Sequence, residues 1–214
     1  MAPRDFDQCF RTWAAAACSE WKWREPDEAY FDRAYERLPQ GLRTLIARGV
    51  ASGLIIENGR QFTLRGLAPT KGPYAWFSRH TENKEPNPNW EYFVQVAEFV
   101  RLSEVAARSG HTITFEDQLM DLGVYDGERL LVCVEVKERA TQLQDLVKKL
   151  RTFESAVSLS APDRGNDALR KAKYLVGRRP MYFCGVAIGT RLEYSVGYPH
   201  GKAFELSRDV IPWV

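Results

Sequence analysis

Short metal and nucleophile motifs are absent from this chain. Its three histidines, His80, His111 and His200, stand alone, with no HxH or HxxxH spacing to bring two imidazoles onto one ion. Each reads as a loop or packing residue. The four cysteines, Cys9, Cys18, Cys133 and Cys184, form no CxxC pair, which argues against a zinc ribbon and gives no disulfide framework. Cys133 and Cys184 fall in strand-like segments and are expected as buried free thiols, the usage of a reducing cytoplasm. Gly49, Gly53 and Gly59 do not space into a phosphate-binding loop, so no nucleotide-driven activity is expected. Ser195, in EYSVGY, lacks the flanking glycines of a nucleophile elbow. No apolar run is long enough to span a bilayer, so no membrane association is expected. The alanines at 14–17 run into Cys18, Ser19 and Glu20, which is not a signal-peptide pattern.

What the chain does have is core. Of its 214 residues 44% are hydrophobic and 12% aromatic, enough for a packed domain with a smaller appendage. Phe6, Phe10, Trp13, Ala17 and Trp21 recur at helical spacing up to Pro26, and further helices are expected over residues 27–38 and 40–52. LIIENGRQFTL follows, with Asn58-Gly59 as a hairpin signal. Helices and a hairpin together form a winged-helix-like pattern. In that reading Arg43 and Arg48 on the third helix, and Arg60 in the hairpin, contact nucleic acid. A small helical cap that touches no nucleic acid is the competing reading. Residues 66–89 are rich in Gly, Pro, Asn and Lys, which places a boundary there. The expected layout is an N-terminal region over 1–75, a linker over 76–89 and a second domain over 90–214. Tyr74, Trp76 and Phe77 either stack on unpaired bases or pack onto the core.

Residues 90–109 predict a largely buried helix with Glu91, Gln95 and Glu98 as its polar stripe and Gly110 at its C-terminal end. A further amphipathic helix is expected from Ala140, a short basic helix around Arg170, Lys171 and Lys173, and a central strand over residues 181–188. Gly189-Thr190 would turn that strand into a partner at 192–196. The alternation of helices and strands implies an α/β fold with a mixed sheet.

Charge is segregated along this half. Residues 90–136 hold 3 Lys/Arg against 9 Asp/Glu, whereas residues 137–179 hold 11 against 5. An acidic cluster running into a basic one suits a cation site beside a polyanion groove. The acidic part contains residues 112–137, TITFEDQLMDLGVYDGERLLVCVEVK. Asp121, Glu135 and Lys137 interrupt two apolar segments there, and charges beside Val132, Val134 and Val136 are costly unless paired or bound to metal. Matching the apolar alternations pairs Met120 with Val134, Leu122 with Val132 and Val124 with Leu130, across a three-residue connection 126–128. Asp121 then lies opposite Cys133, on one face with Glu135 and Lys137. A plain two-residue turn would separate Asp121 from Glu135 and make Glu116 the reserve ligand. Two carboxylates on one face suit Mg²⁺ or Mn²⁺, with the Val136 backbone carbonyl as a further ligand and Lys137 as partner of the transition state.

Asp121 followed by Glu135-Val136-Lys137 resembles the PD-(D/E)xK nuclease superfamily, over roughly residues 90–188. Met120 stands where the name-giving proline would be. The resemblance implies a restriction-endonuclease-like αβα sandwich and a metal-dependent nuclease that hydrolyses DNA. It adds Glu98 as a candidate metal ligand from the first core helix, and Gln142 and Gln144 as candidates on the helix after the Lys strand. Lys148, Lys149, Arg170, Lys171, Lys173, Arg178 and Arg179 would hold the DNA backbone. A homodimer or a larger nucleoprotein or defence complex fits such a protein. The rival readings are a DNA-binding assembly protein without catalysis, and a nuclease of the same fold acting on RNA.

Overall fold

The computed structural model describes residues 4–67, 71–82 and 84–212. The chain divides into two compact units, residues 1–100 and 101–214. The first begins with α1 (Phe6–Trp21), α2 (Glu28–Arg37) and α3 (Gln40–Ala51). Asp5 caps α1 by accepting from the Gln8 amide at 2.9 Å, and Asp27 caps α2 by accepting from the Tyr30 amide at 3.1 Å. Strands β1 (Ile55–Asn58), β2 (Gln61–Leu64) and β3 (Tyr74–Ala75) form an antiparallel sheet in that order. Asn58 pairs with Gln61, so the turn residues are Gly59 and Arg60, one position later than an Asn-Gly turn would place them.

Residues 76–89 are no linker. They hold the hairpin β4 (Phe77–Arg79) and β5 (Pro86–Pro88), and the side chains of Trp76 and Phe77 are buried. Trp76 stacks on Phe62 at 4.0 Å and on Trp13 at 4.4 Å, so of the two readings of these aromatics packing is the one observed. Composition suggested a loop because Gly and Pro break long elements. The two aromatics nonetheless anchor a short one. The division between the units falls instead inside α4 (Trp90–Ser109), a helix with the extent its periodicity predicts. Gly110 follows it with a left-handed φ of 70°.

The second unit contains β6 (Thr112–Asp117), β7 (Met120–Asp126), β8 (Arg129–Val136), α5 (Ala140–Arg151), α6 (Asp167–Arg178), β9 (Tyr182–Ala187), β10 (Thr190–Gly197) and β11 (Glu205–Arg208). Its six-stranded sheet runs β11-β10-β9-β8-β7-β6. Neighbours are antiparallel except β8 and β9, which are parallel. A parallel pair needs a crossover, and α5 and α6 supply it. Leu143, Leu146, Val147 and Leu150 of α5 join Leu169, Ala172 and Leu175 of α6 in the core of this unit. The chain is therefore α/β with a mixed sheet. All four cysteines are buried free thiols. Among the described residues no helix is long and apolar enough to cross a membrane.

Candidate active site

Three strands in a meander, β6, β7 and β8, build the site, where the apolar pattern had shown only two. Their register corrects the expected pairing. Leu122 pairs with Val134 and Val124 with Val132, a shift of two residues from the matched alternations. The hairpin closes with Asp126 opposite Arg129, leaving a two-residue turn of Gly127 and Glu128, with Gly127 at φ 56°. Beyond it Tyr125 pairs with Leu130, so Leu131 is left over as a bulge. The extra residue restores the face that a plain two-residue turn would have reversed. Extending the ladder from Leu122 and Val134 by one residue sets Asp121 across from Glu135, not from Cys133. The two carboxylates share a face, as expected, by a different route.

Glu135 is 1% exposed. Lys137 Nζ lies 2.7 Å from its Oε1 and Lys171 Nζ 2.5 Å from its Oε2. Each carboxylate oxygen of Glu135 thus faces one ammonium. Burial, and then the negative charge of Asp121, push the Glu135 carboxyl up to about 7, against the pull of both lysines. Asp121 Oδ2 accepts from the Val136 amide at 2.5 Å, which ties β7 to the end of β8 and leaves Asp121 half-buried. The Lys137 amide donates to Val186 O at 2.8 Å, fixing the residue after β8 against β9.

Lys171 was expected on the DNA backbone. It is buried, 6% exposed, and its ammonium also donates to Leu119 O at 2.7 Å. A signal was present in the sequence, since Lys171 lies on the stripe of Ala168, Ala172 and Leu175. A lysine on an apolar helix face needs an anion in the core. The same side of α6 carries Tyr174 and Arg178. Tyr174 donates to Asp117 Oδ2 at 2.8 Å, Tyr125 donates to the same oxygen at 2.6 Å, and Arg178 reaches the Tyr125 hydroxyl at 3.2 Å. Gly123 makes room for this cluster, because a Cβ there would lie 2.3 Å from Asp117 Oδ2.

The remaining candidates are dispersed. Glu116 sits at φ 53° beside the β6–β7 turn and is missing from the paired ladder. Glu98 is buried on α4, in the first unit. Gln142 Oε1 accepts from the Arg139 amide at 3.0 Å and so caps α5, while Gln144 is exposed. Lys148 and Lys149 are exposed on α5. Arg170 pairs with Asp167 at 3.0 Å, and Lys173 binds Ala161 O at 2.5 Å and Asp163 at 3.0 Å, pinning the loop before α6. Arg179 lies over the Tyr198 ring at 4.6 Å. In the first unit Arg60 is held by Glu20 through contacts of 2.7 Å, and Arg43 lies 3.9 Å from Asp7. Arg48 lines a cavity of ≈ 400 Å³ with Arg4 and Arg43.

Among the described residues no three His, Cys, Asp or Glu side chains gather into one ligand set. Asp121 and Glu135 offer hard oxygen donors of the kind Mg²⁺ or Mn²⁺ takes, although both oxygens of Glu135 already face an ammonium. No protein-family model, curated protein or solved structure matches the chain.

Proposed function

We propose that this chain is a divalent-metal-dependent nuclease that hydrolyses phosphodiester bonds in DNA, with Asp121, Glu135 and Lys137 as its active centre. One observation carries the reading. A carboxylate 1% exposed lies on one sheet face with Asp121 and with the ammonium of Lys137, at the β7–β8 hairpin. An ion cluster of this kind adds little net stability over apolar packing, so a chemical role explains its presence better than a structural one. The PD-(D/E)xK resemblance implies a helix, an Asp-bearing strand, a Glu-x-Lys strand and a following helix and strands. The elements α4, β7, β8, α5 and β9 run in that order, with β6 as an additional strand before β7. On this reading the second unit is of restriction-endonuclease-like type.

Asp121 and Glu135 would hold Mg²⁺ or Mn²⁺, with the Val136 carbonyl as a third donor. The ion would supply Lewis acidity, lowering the pKa of water and offsetting phosphate charge. Lys137 stands beside Glu135, where its ammonium can orient a water and neutralise charge building on the phosphate oxygens. Lys171 holds Glu135 in place from the opposite oxygen and anchors α6 to the β6–β7 turn. Lys148, Lys149, Arg170, Arg178 and Arg179 are the cations proposed to track the DNA backbone. The non-catalytic alternative draws on Arg43, Arg48 and Arg60, of which Arg43 lies 3.9 Å from Asp7 and Arg60 is paired with Glu20. Parallel cleavage assays on DNA and RNA separate the two substrate classes, and plasmid cleavage by the Glu135→Ala and Lys137→Ala variants tests the assignment itself.

A further inference from the structure

The stretch Trp21-Lys22-Trp23-Arg24 alternates aromatic and basic residues, and the first unit displays it at the end of α1. Other tryptophans of this unit go inside. Trp13, Trp76 and Trp90 are all buried. Trp21 and Trp23 stay partly exposed although the unit has an extensive aromatic core. Their placement is built into the backbone. Lys22 adopts the left-handed conformation, φ 58° and ψ 42°, which a non-glycine residue rarely takes. Its amide and that of Trp23 bond back to Ser19 O at 3.2 Å and Cys18 O at 2.8 Å. The chain thereby reverses, and the two indoles meet at 5.0 Å between ring centroids with their planes at 59°.

Two other elements bring arginines to the pair. Arg60, from the β1–β2 turn, lies over Trp21 at 5.3 Å, and Arg79, at the end of β4, lies over Trp23 at 5.5 Å. Glu20 holds the Arg60 guanidinium through two 2.7 Å contacts, which orients it. Lys22, Arg24 and Arg79 are exposed around the rings, with the exposed carboxylates of Glu20, paired to Arg60, and Glu25 on either side of the stretch. Half-exposed indoles, guanidinium planes over them and surrounding cations match the chemistry of unpaired nucleobases on a phosphate backbone. Bases stack on aromatic faces and on guanidinium planes, and lysine and arginine meet the phosphates.

We infer that Trp21, Trp23, Arg60 and Arg79 form a binding platform for single-stranded nucleic acid on the first unit. The platform is independent of the nuclease reading, since none of its residues belongs to the proposed catalytic centre. It is tested with the full chain in EDTA, where cleavage is blocked, by tryptophan quenching and by anisotropy of labelled oligothymidylate or oligouridylate of about 20 nucleotides. The expected result is salt-sensitive binding that a matched duplex competes for poorly. The Trp21→Ala/Trp23→Ala variant should weaken binding about 100-fold and Arg79→Ala about tenfold. Trp21→Phe/Trp23→Phe, which keeps two stacking faces, should recover binding to within a few-fold and covers the case in which the alanine variant misfolds. Binding by the parent that neither tryptophan pair variant changes overturns the proposal, as does no measurable binding or equal affinity for duplex. Preference for the deoxy- or the ribo-oligomer assigns the strand type.

Discussion

Glu135 shows most plainly what the site costs. Its pKa rises from an ordinary 4.5 to about 7, so the folded protein holds this proton more tightly than the unfolded chain does. The stabilisation this proton confers is complete below about pH 4.5 and is lost as pH rises through about 7. In EDTA, the melting temperature of the parent should therefore fall between those limits more steeply than that of Glu135→Gln. Scanning fluorimetry across a pH series reads the difference, and parallel profiles would show that Glu135 does not titrate in this way. The sequence disclosed Glu135 and Lys137 because charges interrupted a run of valines. Lys171 was equally visible as a lysine on an apolar helix stripe, but it was grouped with its basic neighbours. Helical periodicity gives the face a residue occupies and says nothing of what that face meets.

The β7–β8 hairpin and α6 carry the argument at the level of elements. Alternation in the two strands favoured a shared face for Asp121 and Glu135, and the observed shift of two residues keeps it, because strand side chains alternate with a period of two. It could not give the true register. Leu131 is apolar and fits the pattern whether paired or bulged, so nothing in the residue types marked the bulge. Strand β6 was not expected, because its six residues end in Glu116-Asp117 and carry little apolar alternation. Asp117 is in fact the acceptor for two phenols, and one of them, Tyr174, ties α6 to the sheet. Tyr174→Phe should cost about 1.5–3 kcal/mol in urea unfolding, the usual worth of a hydrogen bond to a charged acceptor. Gly123→Ala should cost about 1–3 kcal/mol through overpacking, since its Cβ would lie 2.7 Å from the Tyr125 ring as well as against Asp117. If both variants unfold at the parent's midpoint, the cluster does not hold α6 in place.

For the whole molecule, the division of labour between units was only partly legible. The α/β character of the second unit followed from alternating helix and strand signals. The boundary did not, because Gly and Pro in residues 66–89 outweighed two aromatics, Trp76 and Phe77, that fold residues 76–89 into the first unit. Cations proposed for the DNA backbone are read by salt. Lys148→Ala/Lys149→Ala, altered at two exposed positions of α5, should lower the slope of log affinity against log salt by about 2 on duplex DNA in EDTA. An unchanged slope would remove α5 from the DNA path. Charge segregation along the sequence is explained in part by structure alone, since Lys171 and Lys173 are committed to Glu135, Asp163 and backbone carbonyls.

The central claim is that the Asp121–Glu135–Lys137 face cuts phosphodiester bonds. Supercoiled plasmid incubated with the parent protein in Mg²⁺ or Mn²⁺ tests it directly, beside the Glu135→Ala and Lys137→Ala variants shown to be folded by circular dichroism. Nicking or linearisation by the parent, abolished by EDTA and reduced at least about 100-fold in each variant, is the predicted result. Cleavage by both variants at the parent's rate, or no metal-dependent cleavage of DNA or RNA by the parent, contradicts it.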